Sequence, residues 1–307
     1  MNKKTFLITG GSGFLGSHLT QKLVKENRVV LIDIVNNLPQ NIKQSVKFYH
    51  LDINSSKIKA IFKKERPQII YHLAGPIALR REIDDPIFKK SLNVLGNLNN
   101  ILKCCTDYKA EKIIFFSSGG AVYEGTKIIP TPENYPVHST SLYGIANLII
   151  EKYLKSYSQK YGLGFTILRF SNIYGPRQWV SGIIPTIIVK ALSGLSPIIY
   201  GDGTQTRDFV FVDDAVEASV LAIKDNKNEI YNVSSGREIS INEIFNKITK
   251  ILQKRTKPIY QRAKSEEIKR SCLDNSRIKN EMGWKPKVNI DQGLKKTIDW
   301  YKKNYVK

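Results

Sequence analysis

Thr9-Gly-Gly-Ser-Gly-Phe-Leu-Gly16 is the stretch whose residue types and spacing speak most directly of chemistry. Gly10, Gly13 and Gly16 stand three apart, behind a short apolar run and ahead of a helical pattern. Glycines so placed permit a tight turn and let backbone N–H groups approach a pyrophosphate, which the following helix N-terminus stabilises. A glycine cluster alone says little, because turns collect glycine. Here the context is strand, turn and helix, and Asp33 sits at the end of the next apolar run. A carboxylate there accepts hydrogen bonds from adenosine ribose hydroxyls and repels a 2′-phosphate. No arginine follows Asp33 to offset the repulsion. NAD is therefore expected rather than NADP, held by Gly10, Gly13, Phe14, Leu15, Gly16 and Asp33.

Such a turn needs a rigid frame. Residues 5–9 and 28–34 are apolar runs without alternation, and runs of the same kind recur at 46–49, 68–72, 112–117 and 165–170. That pattern suits strands buried on both faces. Helical stretches at 14–24, 57–64, 86–105 and 143–161 separate them. Strands alternating with helices of this length imply an α/β fold, a Rossmann doubly wound parallel sheet covered on both sides. From about residue 171 the alternation breaks, and glycine, proline and polar loop residues become frequent. The expected organisation is an NAD-binding Rossmann domain over residues 1–170 and a smaller C-terminal substrate-binding region over 171–307. Segments near 209–212 and 230–233 are expected to return from that region to the main sheet. There is no internal repeat and no low-complexity segment.

Composition narrows the class further. The 307 residues are 41% apolar and 24% charged, which suits a packed core and excludes a disordered or fibrous chain. The first residues, Met1-Asn-Lys-Lys, run straight into a strand, without the apolar region and cleavage site of a signal peptide. No apolar run approaches the roughly 18 residues of a membrane span. Cys104, Cys105 and Cys272 are odd in number and offer neither a disulfide framework nor metal spacing. A reducing cytoplasm is the expected setting, with no metal. The formal net charge of +21 admits a binder of nucleic acid or of an anionic surface. The lysines, however, are scattered, as at Lys57, Lys59, Lys63 and Lys64, and are not interleaved with aromatics into a stacking platform. They read as the default surface residue of a Lys-, Asn- and Ile-rich chain, so neither membrane nor nucleic acid is expected as a partner.

Further motifs follow in a fixed order: Leu51-Asp-Ile53, His72-Leu-Ala-Gly75, Asn93-Val-Leu-Gly, Phe116-Ser-Ser-Gly-Gly-Ala-Val-Tyr123 and Tyr143-Gly144. Then come Leu168-Arg-Phe-Ser-Asn-Ile-Tyr-Gly-Pro-Arg177, the segment from Gly201 to Asp214, and Met282-Gly-Trp-Lys-Pro286. With these motifs the chain resembles the extended short-chain dehydrogenase/reductase family over nearly its full length, in particular the NAD-dependent nucleotide-sugar epimerases and dehydratases of the UDP-glucose 4-epimerase type. The resemblance implies that Asp52 and Ile53 flank the adenine and that Leu73, Ala74 and Gly75 line the dinucleotide. It implies the same lining role for Asn93, Ser117 and Phe170. Asn172 and Arg207 would contact the diphosphate of a nucleotide sugar, expected to be UDP-linked, with Arg262 or Lys264 as a further cation. Arginine suits this task because its planar fork pairs bidentately with phosphate oxygens. A surface ion pair with Asp208 is the other reading of Arg207, and a purely structural turn that of Asn172. A homodimer through the helices at 86–105 and 143–161 is also implied.

The reaction that the resemblance implies is inversion at C4 of a UDP-hexose through a 4-keto sugar, with NAD unchanged at the end of the cycle. Tyr143 would take the proton of the sugar hydroxyl, which makes it a catalytic and cofactor-contacting residue. Two departures bear on this. Four residues on, one helical turn along the same face, the family has a lysine and this chain has Asn147. A unit charge roughly 5 Å away at an effective dielectric of about 20 contributes about 3 kcal/mol to a tyrosinate. Asn147 keeps the capacity to hydrogen-bond the nicotinamide ribose but carries no charge. Many relatives also have a serine or threonine where this chain has Gly119 and Ala121, leaving Ser118 as the nearest hydroxyl. The Asp-Glu pair of the 4,6-dehydratases is missing, so water elimination is not expected. Glu124 replaces a usual glycine, either facing the site or solvated, and His138 is either a substitute acid–base group or an ordinary loop histidine. Besides the epimerase, two readings stay open: a protein that binds NAD and nucleotide sugar without turnover, and a basic Rossmann protein recruited to RNA.

Overall fold

All five side chains of Thr5–Thr9 (β1) are buried, as an apolar strand covered on both faces requires. A computed structural model of the chain describes residues 4–75, 94–180, 182–263 and 268–305. β1 pairs in parallel with Arg28–Asp33 (β2) on one side and with Ile69–His72 (β4) on the other. Lys47–His50 (β3) extends β2, and Lys112–Ser118 (β5) extends β4. Among the described residues Gly164–Phe170 (β6) and Ile230–Val233 (β10) complete a seven-stranded sheet in the order β10-β6-β5-β4-β1-β2-β3. The strand order reverses between β1 and β4. That is where a doubly wound sheet opens a crevice at its carboxyl ends, and the glycine turn leaves β1 at this end.

Helices connect the strands: Phe14–Leu23 (α1), Gln40–Lys43 (α2), Ile58–Glu65 (α3), Val94–Asp107 (α4), Gly119–Val122 (α5) and Leu142–Tyr161 (α6). Leu7, Val30, Ile70, Ile113 and Phe115 share one core cluster with Phe62, Leu98, Leu102, Ile150 and Leu154 of α3, α4 and α6. Their strand neighbours Phe6, Ile8, Leu31, Tyr71 and Ile114 are equally buried and point to the opposite face by the two-residue period. Of the expected helix at 86–105, residues 86–93 lie outside the described residues, and the remainder runs on to Asp107. Among the described residues no helix is long and apolar enough to cross a membrane.

The chain divides into two compact units, one of Met1–Glu124, Pro136–Arg169 and Val216–Tyr231, the other of Gly125–Tyr135, Phe170–Ala215 and Asn232–Lys307. A single boundary at residue 170 therefore misses two exchanges. Residues 216–231 belong with the first unit because the Tyr71 hydroxyl donates to Ser219 O (2.9 Å), Lys112 Nζ to Ala222 O (2.8 Å) and Thr166 Oγ1 to Asp225 Oδ2 (2.8 Å). Residues 125–135 belong with the second, where Thr131 exchanges backbone hydrogen bonds with Cys272 and Asp274.

In the second unit Asn172–Tyr174 (β7), Thr206–Phe211 (β9) and Glu238–Ser240 (β11) form a three-stranded sheet in the order β11-β9-β7. Ile198–Tyr200 (β8) pairs in parallel with Ile259–Gln261 (β12). The expectation that residues 209–212 return to the main sheet is corrected here. Phe209, Val210 and Phe211 are buried like main-sheet residues, but their ladder partner is β7, and Val212 already opens the helix Val212–Leu221 (α8). Residues 230–233 do lie in the main sheet, as β10 beside β6. Ile183–Leu192 (α7) and Ile290–Tyr305 pack against Ile241–Leu252. The last of these starts with a full capping box, Ser240 and Glu243 each bonding the other's backbone N–H, an arrangement worth about 1 kcal/mol.

Candidate active site

The dinucleotide turn is built from contacts that only glycine permits. Gly10 has φ +70°, and a Cβ on it would lie 2.7 Å from Ala74 N. A Cβ on Gly16 would lie 2.4 Å from Gly10 O, so helix α1 packs directly on the turn. Gly13 is the N-cap residue of α1 and brings no side chain to its free N–H groups, and no acidic residue occupies the first turn. An anion can therefore approach these donors, which the helix dipole favours. Phe14 and Leu15 are half-buried on that first turn.

Asp33 ends β2 beside the turn. Its Oδ2 accepts the N–H of Ser12 (2.9 Å) and its Oδ1 that of Val35 (3.2 Å). Each oxygen keeps a lone pair for a ribose hydroxyl. Ser12 Oγ is buried next to it without a hydrogen-bond partner, an orphan that a bound polar ligand would satisfy. Glycine cradle, buried carboxylate and orphan hydroxyl together fit the adenosine and diphosphate of NAD. Asp52 Oδ1 is occupied by the N–H and amide of Asn54, and Ile53 packs on the edge of the core cluster.

Two residues not foreseen as functional hold the next part of the lining. Thr9 Oγ1 lies 2.9 Å from His72 Nδ1 and 3.3 Å from the Ala74 N. Oγ1 accepts from Ala74 and shares with Nδ1 a hydrogen bond whose direction follows the tautomer of a neutral His72. Burial pushes the His72 imidazole down to about 4, in keeping with that state. The backbone N–H groups of Leu73 and Ala74 both donate to Thr9 O, at 3.1 Å. Leu73, Ala74 and Gly75 are half-buried at the end of β4. Asn93 lies outside the described residues.

Tyr143 is the second residue of α6, half-buried, and Asn147 follows one turn on with no exposure at all. Asn147 Nδ2 donates to Tyr143 O at 2.8 Å, which fixes the amide, while its Oδ1 is buried without a partner. Where the family has a cation, this chain presents an acceptor. The first turn is tightly set. Ser141 caps it by accepting the Gly144 N–H at 3.1 Å, and a Cβ on Gly144 would lie 2.6 Å from Ala121 O. Ser118 is half-buried at the N-cap of α5 and makes no capping hydrogen bond. The Ser117 side chain serves the interior: its hydroxyl donates to Glu151 Oε1 at 2.5 Å.

Glu151 also takes two donors from Arg169, Nε to Oε1 at 3.0 Å and an η-nitrogen to Oε2 at 2.5 Å. Arg169 reaches the Tyr123 hydroxyl as well. Burial alone would lower the guanidinium's affinity for its proton, but the bonds and charge of Glu151 outweigh it and raise the Arg169 pKa. The signal for this network was present in the sequence. Arg169 interrupts an apolar strand and Glu151 an apolar helix face, and buried charges of this kind are found paired.

Glu124 is neither in open solvent nor an unpaired acid. Its carboxylate accepts from the Thr140 N–H (2.7 Å), the Thr140 hydroxyl (2.6 Å) and Ser139 Oγ (3.2 Å). His138 is exposed, and its backbone bridges to Val122 and Glu124.

In the second unit, β7 and β9 pair with Asn172 opposite Phe209. Residues two apart on a strand share a face, so Asn172 and Arg207 lie on the same face of this sheet. One η-nitrogen of Arg207 donates to Thr206 O (2.8 Å) and Ile268 O (2.6 Å), which fixes the guanidinium. Asp208 points to the opposite face and is saturated by Ser235 N (2.9 Å), Ser235 Oγ (2.7 Å), Gly236 N (3.1 Å) and Leu273 N (3.4 Å). The Arg207–Asp208 ion pair therefore loses its support. Phe170 is buried at the end of β6, Arg262 is exposed just after β12, and Lys264 lies outside the described residues. Among the described residues no group of three or more His, Cys, Asp or Glu could hold a metal.

The sequence model of the NAD dependent epimerase/dehydratase family matches residues 6–234. A Methanocaldococcus jannaschii protein, provisionally named as a UDP-glucose 4-epimerase, is 38% identical over 303 residues, spanning 97% of this chain and 98% of its own. The structure of UDP-glucose 4-epimerase from Thermotoga maritima with UDP-glucose superposes with a TM-score of 0.93 at 33% identity, covering 98% of this chain and 99% of that one. For the Thermus thermophilus UDP-glucose 4-epimerase in complex with NAD the TM-score is 0.89 at 30% identity, with 98% and 99% covered. With a family match over most of its length and relatives aligned end to end, the chain belongs to the NAD-dependent epimerase/dehydratase family.

Proposed function

We propose that this protein is an NAD-dependent epimerase that inverts C4 of a UDP-hexose. The observation that carries the reading is the first unit's combination of a glycine cradle with Asp33 and a helix that presents Tyr143 at its capped first turn, with Asn147 one turn below. Bound NAD supplies a hydride acceptor that is restored within each cycle. The phenol oxygen of Tyr143 takes the proton of the sugar 4-hydroxyl and returns it after the ring has turned. Asn147 Oδ1, lacking any partner of its own, accepts from a ribose hydroxyl of the cofactor. Asn172 and Arg207 bind the diphosphate. Loss of turnover has no observation in its favour beyond the Asn147 and Gly119 positions themselves.

The same reading includes a homodimer through α4 and α6, supported by the outward Leu142, Ile145 and Ile149 on α6. It includes a reducing cytoplasm, which suits three buried free cysteines. The test is to incubate protein and NAD with UDP-glucose, UDP-N-acetylglucosamine or UDP-glucuronic acid and to follow the anomeric protons by NMR. A C4-epimer signal that is lost in Tyr143→Phe is expected. Binding of NAD and UDP-sugar without conversion of any of the three would overturn the proposal.

A further inference from the structure

We infer that Glu124 is a positioning residue for Tyr143, its carboxylate anchoring a directed chain of hydrogen bonds that ends on the first turn of α6. The inference rests on the reading of Tyr143 as the proton-transferring group. An ionised carboxylate can only accept, so each hydroxyl or N–H that meets it is the donor there. Ser139 Oγ donates to Glu124 Oε2 at 3.2 Å. With its proton on the shorter and charged of its two acceptors, Glu124 Oε2 rather than Ser141 O at 3.5 Å, Ser139 Oγ is the acceptor in its 3.2 Å contact with Ser141 Oγ. Ser141 Oγ in turn accepts the N–H of Gly144 at 3.1 Å. Tyr143 lies inside the segment that this chain closes.

Two further contacts make the tether firm. Thr140 donates both its N–H and its hydroxyl to the same carboxylate, at 2.7 and 2.6 Å, so the residue between the two serines is held as well. The bonds from Thr140 and, less strongly, from Ser139 keep the Glu124 carboxyl below its ordinary range despite some burial, so it is ionised at neutral pH. Ser139 Oγ also lies hard against the helix, since a Cβ on Gly144 would come within 2.1 Å of it. A shift of Ser139 is thereby passed to the residue beside Tyr143. The backbone bridge between Tyr123 and His138 keeps the two segments adjacent without the carboxylate. What Glu124 adds is the register of residues 139–141.

The test compares wild type, Glu124→Ala and Glu124→Gln by amide hydrogen exchange over residues 139–146 and by steady-state epimerisation of a UDP-sugar. Loss of the anchored cap should speed exchange at Gly144 about tenfold in Glu124→Ala, with Glu124→Gln between the two, because an amide oxygen replaces part of the acceptor set. Misplacing the tyrosine should lower kcat about tenfold while KM for the sugar stays within about twofold. Unchanged exchange at Gly144 would overturn the inference. So would a loss shared by kcat and KM together with a lower melting temperature, the mark of general destabilisation. A wild type inactive on every UDP-sugar would instead refute the proposed function, and the exchange measurement would then decide the tether alone.

Discussion

Truncating Glu151 to alanine should destabilise the first unit by several kcal/mol. The side chains of Glu151 and Arg169 are each only 4% exposed. The variant leaves the guanidinium without two close acceptors and strands the Ser117 hydroxyl that had donated at 2.5 Å. Breaking a buried ion pair from one side costs about 3–5 kcal/mol, because an uncompensated charge is left behind. Arg169→Met should cost a similar amount, by leaving the carboxylate without its cation. The double variant Glu151→Leu/Arg169→Met removes both charges and should lie within about 2 kcal/mol of wild type. With Glu151→Leu as the matching single variant, a double-mutant cycle from urea denaturation isolates the pairwise part. Trp179, Trp284 and Trp300 all belong to the second unit, so far-UV circular dichroism is the better probe. Single variants each within about 1 kcal/mol of wild type, or a double variant as unstable as the two singles added, would refute this account of the network.

Three other outcomes are expected. His72 has a folded value of about 4 against 6.5 for the free side chain, so the unfolded chain binds the proton first, and stability should fall as pH drops from about 6.5 towards 4. The loss totals about 3 kcal/mol. His72→Gln should flatten that part of a denaturation-midpoint profile, and a wild-type profile flat across this window would contradict it. Asn147→Lys restores the cation. Since such a charge is worth about 3 kcal/mol to a tyrosinate, kcat near pH 7 should rise at least about tenfold, and an unchanged kcat would mean that the tyrosine is not limited by charge. Arg207→Lys keeps the charge but loses the planar fork. KM for a UDP-sugar should rise about tenfold with NAD affinity, read by calorimetry, unchanged; a loss of NAD binding instead would place Arg207 in a different role.

The parallel sheet was legible because its central strands are short apolar runs next to a turn or helix signal, buried on both faces; β3, at the edge with no buried side chain, is read only from its place in the alternation. The three-stranded sheet was not. Phe209, Val210 and Phe211 look like any buried strand, and only their pairing with Asn172–Tyr174 tells which sheet they join. Period and composition carry no information about partners that distant. Of the site, the glycine turn and Asp33 could be read from their spacing, since close backbone approach demands those residue types. Thr9 and His72 could not, because a buried threonine and histidine in a strand look like filler until their geometry is known. Glu124 was visible as an oddity, but its meaning depends on where residues 139–141 fold back.

The position of β10 at the edge of the main sheet has a consequence for synthesis. Its partner β6 is complete at Phe170, whereas β10 begins at Ile230. At about 5–20 residues per second, a ribosome takes several seconds to cover the interval. During that time β6 is an unpaired parallel edge of apolar residues, the kind of surface that recruits other chains. Folding of the nascent protein is thus exposed at one defined stage, when roughly residues 170 to 230 have been made, and chaperone binding should be concentrated there.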